Sequence, residues 1–193
     1  MAEAAPSSGD GVAIRCVLTN DLVFSTTFPY EVDEEDDGLC YSVKGSFKDG
    51  LDALVQEDVA REGAAAAPVP EDELLPLTAV DVVRWAGLRH LQLDRPGFVK
   101  RWQRYSSALQ QHWREAGEED KAEQIALKGQ LFAKKILRMF DEVDFLVSAS
   151  ASPRSCLAIL HYREDCITPH IYVLVDGVRA DVASDDVGGE EGS

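Results

Sequence analysis

Phe98, Trp102, Tyr105, Leu109 and Trp113 follow one another at steps of 4, 3, 4 and 4 residues, which sets five large apolar groups on one helical stripe. Asp94, Arg95, Pro96 and Gly97 break the chain just before it. After a second break at Gly117, Ile125, Phe132, Ile136 and Met139 continue a similar stripe to about Phe140. Two helices joined near residues 117–120 are therefore expected to face each other as an antiparallel hairpin over about 98–140.

The segments on either side carry a different pattern. Residues 12–18 are rich in β-formers, and Tyr41, Val43, Gly45 and Phe47 alternate along a second run. Residues 78–93 also read as β-rich, and the last third holds short apolar runs at 145–147, 156–162 and 170–175, punctuated by Ser-Pro, Thr-Pro and Asp-Gly. Strands, then a helix pair, then strands that return to the first sheet describe an α+β fold. With 193 residues, 45% of them hydrophobic, the chain can close one sizeable core but not two.

One domain over residues 12–181 is thus expected, with disordered tails at 1–11 and 182–193. A long mobile loop is expected over about 48–76, where GAAAAPVP occupies residues 63–70, with room for a short helical turn within 51–61. No apolar run approaches the roughly 18 to 20 residues that cross a bilayer, and the first ten residues have neither a basic nor an apolar stretch. The expected location is the cytosol.

Charge is distributed unevenly. The formal net charge of −16 disfavours nonspecific nucleic-acid binding by the whole molecule. The hairpin nevertheless holds nine cationic against five acidic side chains, a local +4, so the remainder of the chain carries −20. A basic helix pair on an acidic body can steer toward acidic partners, while a merely solvated helix face is the bland alternative. Glu31, Asp33, Glu34, Glu35, Asp36 and Asp37 read as an exposed acidic turn ended by Gly38. They lack EF-hand spacing, so any calcium site there would be weak.

Reactive chemistry is not written in local motifs. GxxxxGK[ST], GxGxxG after a strand, HExxH and GxSxG are all missing. Cys16, Cys40, Cys156 and Cys166 are scattered and read as free, mostly buried thiols. His90, His112, His161 and His170 are spread out, and Cys166 with His170 across a Thr-Pro turn reads as two independent residues. Tyr162, Arg163, Glu164 and Asp165 read as an ion-paired turn. No catalytic residue is assigned.

Several stretches resemble the translationally controlled tumour protein family, in order, over about 12–178. LHYREDCITPHIYVLVDGV at 160–178 is similar to its C-terminal strands, and DGLCYSVKG at 37–45 to its Asp-Gly-Leu-Cys strand. NDLVFS at 20–25 resembles a family turn, VDVV at 80–83 a family strand, and AKKILRMFDEVDFL at 133–146 the second long helix and the strand after it. The resemblance implies a β-tent body, related to small exchange factors and methionine sulfoxide reductases, with a protruding helical hairpin and a mobile loop. No required cofactor is expected, and the resemblance also implies calcium and microtubule binding, contacts with translation elongation machinery, and regulation of a small Ras-like GTPase.

This chain departs from the family in places. Leu22 stands where the family has a glutamate tied to GTPase regulation, with Asp21 and Phe24 keeping the turn around it. Ser148 and Ala149 replace a Gly-Glu pair, the mobile-loop signature is absent, and the family's terminal cysteine gives way to an acidic tail. Three readings follow. The first is a non-enzymatic interaction protein whose Lys100, Arg101, Arg104, Lys134, Lys135 and Arg138 meet tubulin or another acidic surface. The second is a regulator of a GTPase or of an elongation factor through Asp21, Phe24 and the acidic turn. The third is a thiol-dependent reductase, which needs an accessible, electropositive cysteine.

Overall fold

The helical stripes form as expected, and each helix end has a local cause. In the computed structural model, which describes residues 11–34, 38–47, 80–162 and 167–181, the first long helix, α2, spans Arg95–Glu115. Asp94 caps it by accepting the Gly97 N–H at 2.8 Å, with Pro96 in the first turn, where a missing N–H costs nothing. Gly117, at φ 79°, turns the chain, and α3 runs over Glu119–Arg138 with Glu119 and Asp120 in its first turn, where the helix dipole favours acids. The expectations for both tails, for the loop over 48–76, for the 163–165 turn and for Cys166 lie outside the described residues.

The two helices meet through aromatic groups. Trp102 and Phe132 have ring centroids 5.3 Å apart, and Gly129 on α3 leaves room for the Trp102 indole. At the base of the hairpin, Phe98, Phe140 and Phe145 form a cluster with centroids 5.1 to 6.2 Å apart, which fastens it to the strand that follows. Further along, Trp113 Nε1 donates to the Asp176 carbonyl at 2.8 Å, so α2 lies along the body over most of its length.

Among the described residues the body has two antiparallel sheets. The smaller has the order β2-β1-β9, from β1 (Ala13–Cys16), β2 (Leu22–Ser25) and β9 (Val178–Ala180). The larger has the order β3-β4-β8-β7-β6-β5, from β3 (Tyr30–Val32), β4 (Cys40–Lys44), β5 (Arg89–His90), β6 (Val143–Val147), β7 (Leu157–Tyr162) and β8 (Pro169–Leu174). C-terminal strands do return to the N-terminal half, β8 onto β4 and β9 onto β1. Val23, Phe24, Phe98, Tyr105, Leu109, Leu146, Ile159 and Ile171 are among the buried side chains that make one core.

Three expectations need correction. Residues 78–93 are not β-rich throughout: Asp81–Ala86 form a short helix, α1, so VDVV is not a strand. The buried residues there, Val82, Val83 and Ala86, sit at i, i+1 and i+4, a helical spacing. Asp81 Oδ1 also accepts the N–H groups of Ser46 (2.9 Å) and Val82 (2.7 Å), which fixes the first turn against the end of β4. Second, the acidic run does not begin as an exposed turn. Glu31 lies in β3 opposite Ser42, and Asp33 is only 5% exposed.

Third, the alternating run 41–47 stops pairing as a strand at Lys44. Gly45 instead approaches Val80 so closely that a Cβ would sit 2.8 Å from its Cγ1, and Phe47 forms an isolated bridge with Val80. Cys40 and Ser42 are buried as well as Val43, because β4 lies between two strands and is covered on both faces.

Candidate functional site: a basic groove beside the first long helix

The buried stripe of α2 leaves its opposite face free, and Lys100, Gln103, Arg104, Ser107, Ala108, Gln111 and Glu115 recur along it at helical intervals. The loop between β6 and β7 rises alongside, and Pro153 and Arg154 complete an open groove of about 880 Å³. Lys100, Arg104 and Arg154 bring three cations to the groove, against the single carboxylate of Glu115.

Arg101 builds that wall. Its guanidinium donates to the carbonyl of Pro153, and Nη2 donates to the carbonyls of Ser152 (3.2 Å) and Ser155 (2.8 Å) and to Ser155 Oγ (3.2 Å). Burial lowers its pKa from the ordinary value, and carbonyl dipoles stand in for the lost water. Arg101 is thus engaged, half-buried, in holding the loop.

The same loop is tied at its other end to Asp21. Asp21 Oδ2 accepts hydroxyl hydrogen bonds from Thr19 (2.7 Å), Ser148 (2.7 Å) and Ser150 (2.5 Å). Burial alone pushes the carboxyl up, but the hydroxyls of Ser150, Thr19 and Ser148 together outweigh it and hold the pKa below its ordinary value. Ser148 is itself fully buried.

Behind the groove, Tyr105 is fully buried, and Gly177 leaves the space its hydroxyl needs: a Cβ there would lie 2.3 Å from that oxygen. Among the described residues the hydroxyl has no nitrogen or oxygen partner, and it lies beside the Cys156 thiol, a weak hydrogen-bonding group. Burial pushes Cys156 up to about 12, with Cys16 nearby adding to the rise. Cys16, Cys40 and Cys156 are all buried and outside any disulfide.

The remaining expected site residues fall in separate places. Lys134 and Arg138 are exposed on α3, one turn apart, while Lys135 is half-buried and engaged. None of the three lines the groove. Phe24 is 1% exposed, packed against Tyr30 and Tyr41, so its ring supports the core and cannot meet a partner directly. Asp21 stays partly exposed, with its carboxylate occupied by hydroxyls. Arg154 escaped the sequence reading. Its only signal was the Ser-Pro break beside it, and nothing local links it to a helix some fifty residues earlier.

A family model described as translationally controlled tumour protein matches residues 14–179. The chain belongs to that family. A translationally-controlled tumor protein homolog of Neurospora crassa is 28% identical over 168 residues, covering 84% of this chain and 94% of the relative. The translationally-controlled tumor protein of Mus musculus is 27% identical over 178 residues, covering 87% and 97%.

Solved structures agree on the fold. The Schizosaccharomyces pombe protein p23fyp superposes with a TM-score of 0.65 at 20% identity, covering 88% of this chain and 98% of that one. The Caenorhabditis elegans translationally-controlled tumor protein gives 0.60 at 16% identity, covering 88% and 97%. The expected α+β body with its helical hairpin is therefore the fold of this family member.

Proposed function

We propose that this family member is a non-enzymatic interaction protein of the cytosol whose basic groove, beside α2, receives acidic segments of partner proteins, with the acidic tails of tubulin as the example the family resemblance implies. The carrying observation is the convergence of Lys100, Arg104 and Arg154 from a helix and a distant loop on one open groove. On a chain of net charge −16 such a local basic field orients the molecule as well as attracting a partner. Exposed Lys134 and Arg138 form a separate basic pair on α3, next to Leu127 and Leu131, which are 71% and 58% exposed on the same helix face.

Microtubule co-sedimentation tests the reading. Reversing Lys100, Arg104 and Arg154 to glutamate should abolish binding in a protein that still folds, and unchanged binding would overturn it. Regulation of a Ras-like GTPase or of an elongation factor through the face around Asp21 has less support, since Phe24 is buried and Leu22 brings no charge. A thiol-dependent reductase is less supported still, because the described thiols are buried and the Cys156 pKa moves away from reactivity. Calcium is a family-implied ligand. Among the described residues no group of three or more His, Cys, Asp or Glu converges on a metal position.

A further inference from the structure

Proline follows a hydroxyl residue twice in this chain, at Ser152-Pro153 and Thr168-Pro169. The second pair is built into the sheet: Pro169 is buried, opens β8, and its carbonyl accepts the Gly45 N–H at 2.9 Å. The first is presented by the loop along the groove. Ala151, Pro153 and Arg154 are exposed there, Ser152 is partly exposed, and Arg101 holds the loop mainly by its carbonyls.

The hydroxyls of this loop have different employment. Ser150 donates to Asp21, and Ser155 donates to the Ser152 carbonyl at 2.7 Å. Ser152 Oγ accepts the Arg154 N–H at 3.2 Å, and among the described residues it donates to nothing. It therefore keeps an O–H to donate, immediately before Pro153 and Arg154, which line the groove together with Lys100 and Arg104.

We propose that Ser152 is a phosphorylation site for a proline-directed protein kinase, and that its phosphate is held by Arg154 with Lys100 and Arg104, closing the groove to acidic partners. In the transfer, Ser152 Oγ attacks the γ-phosphorus of ATP. The new Oγ–P bond forms as the bond from that phosphorus to the bridging oxygen breaks, ADP leaves, and the hydroxyl proton passes to a base of the kinase. A phosphate brings about −1.5 to −2 charges and three strong acceptor oxygens, the chemistry that a cluster of cations takes up. The regulatory half rests on the acidic-partner reading of the groove, whereas the modification does not.

The full-length protein, incubated with ATP and a purified proline-directed kinase, is mapped by mass spectrometry. Phosphate is expected at Ser152, absent in Ser152→Ala and Pro153→Ala, and retained in Thr168→Ala. No phosphate at Ser152, under conditions where the kinase modifies its standard substrate, overturns the site. Phosphorus NMR titration should then place the second phosphate ionisation below the usual value of about 6, moving back in Lys100→Gln/Arg104→Gln. A titration indifferent to those substitutions overturns the docking. In co-sedimentation, binding by the unmodified protein and loss of binding by the phosphorylated one support the regulation. Equal binding by both overturns it, and binding by neither defeats the acidic-partner reading while the modification stands.

Discussion

Asp21 concentrates three hydroxyl donors on one carboxylate oxygen, and this makes its contribution to stability depend on pH in a predictable sense. Its folded pKa lies below the ordinary 3.8, so the ionised form is favoured by folding. The stabilisation is fully present above the unfolded value and is lost as pH falls through the lowered folded value. Urea unfolding of the protein and of Asp21→Asn across pH 2 to 7 should show an advantage for the native side chain near neutrality. That advantage should shrink only below the ordinary carboxyl range, and a pH-independent difference would contradict the role of the three hydroxyls. Arg101 is the counterpart at the other end of the loop, a cation solvated by carbonyls. Its fork spans several acceptors at once, which a lysine ammonium does not reproduce.

At the scale of elements, the hairpin depends on close approach between its helices. Gly129 sits where an added Cβ would meet Trp102 Cζ2 at 3.4 Å, the near edge of ordinary contact. Gly129→Ala should therefore be tolerated and gain up to about 1 kcal/mol from helix propensity. Gly129→Leu should cost about 1 to 3 kcal/mol by displacing the nearly buried indole. Thermal or urea denaturation separates the two, and equal effects would mean that the helices part easily. The hairpin was legible because two long amphipathic helices repeat their pattern many times. The segment over 78–93 misled because two valines in sequence suit a strand as well as a helix. A six-residue helix offers too few turns for its period to show, and its position is set by Ser46 and the end of β4.

For the molecule as a whole, an acidic body carrying a basic groove should associate with acidic partners at a rate that falls as salt rises. Exposed charges more than about 10 Å apart are largely screened at 0.1 M ionic strength. Stopped-flow association with tubulin should slow several-fold on raising salt, and the Lys100, Arg104 and Arg154 reversal should remove most of that dependence. A rate indifferent to salt would argue against steering. The sequence by itself determined the two helices and the break between them, the return of C-terminal strands to the N-terminal half, and the family, because hydrophobic periods and motif order are written in consecutive residues. Tertiary structure alone decided which cations share a surface. Packing brings Arg154 beside Lys100 and Arg104, turns Arg101 inward to the loop carbonyls, and buries Phe24, and each of these depends on partners far away in the chain that no local pattern encodes.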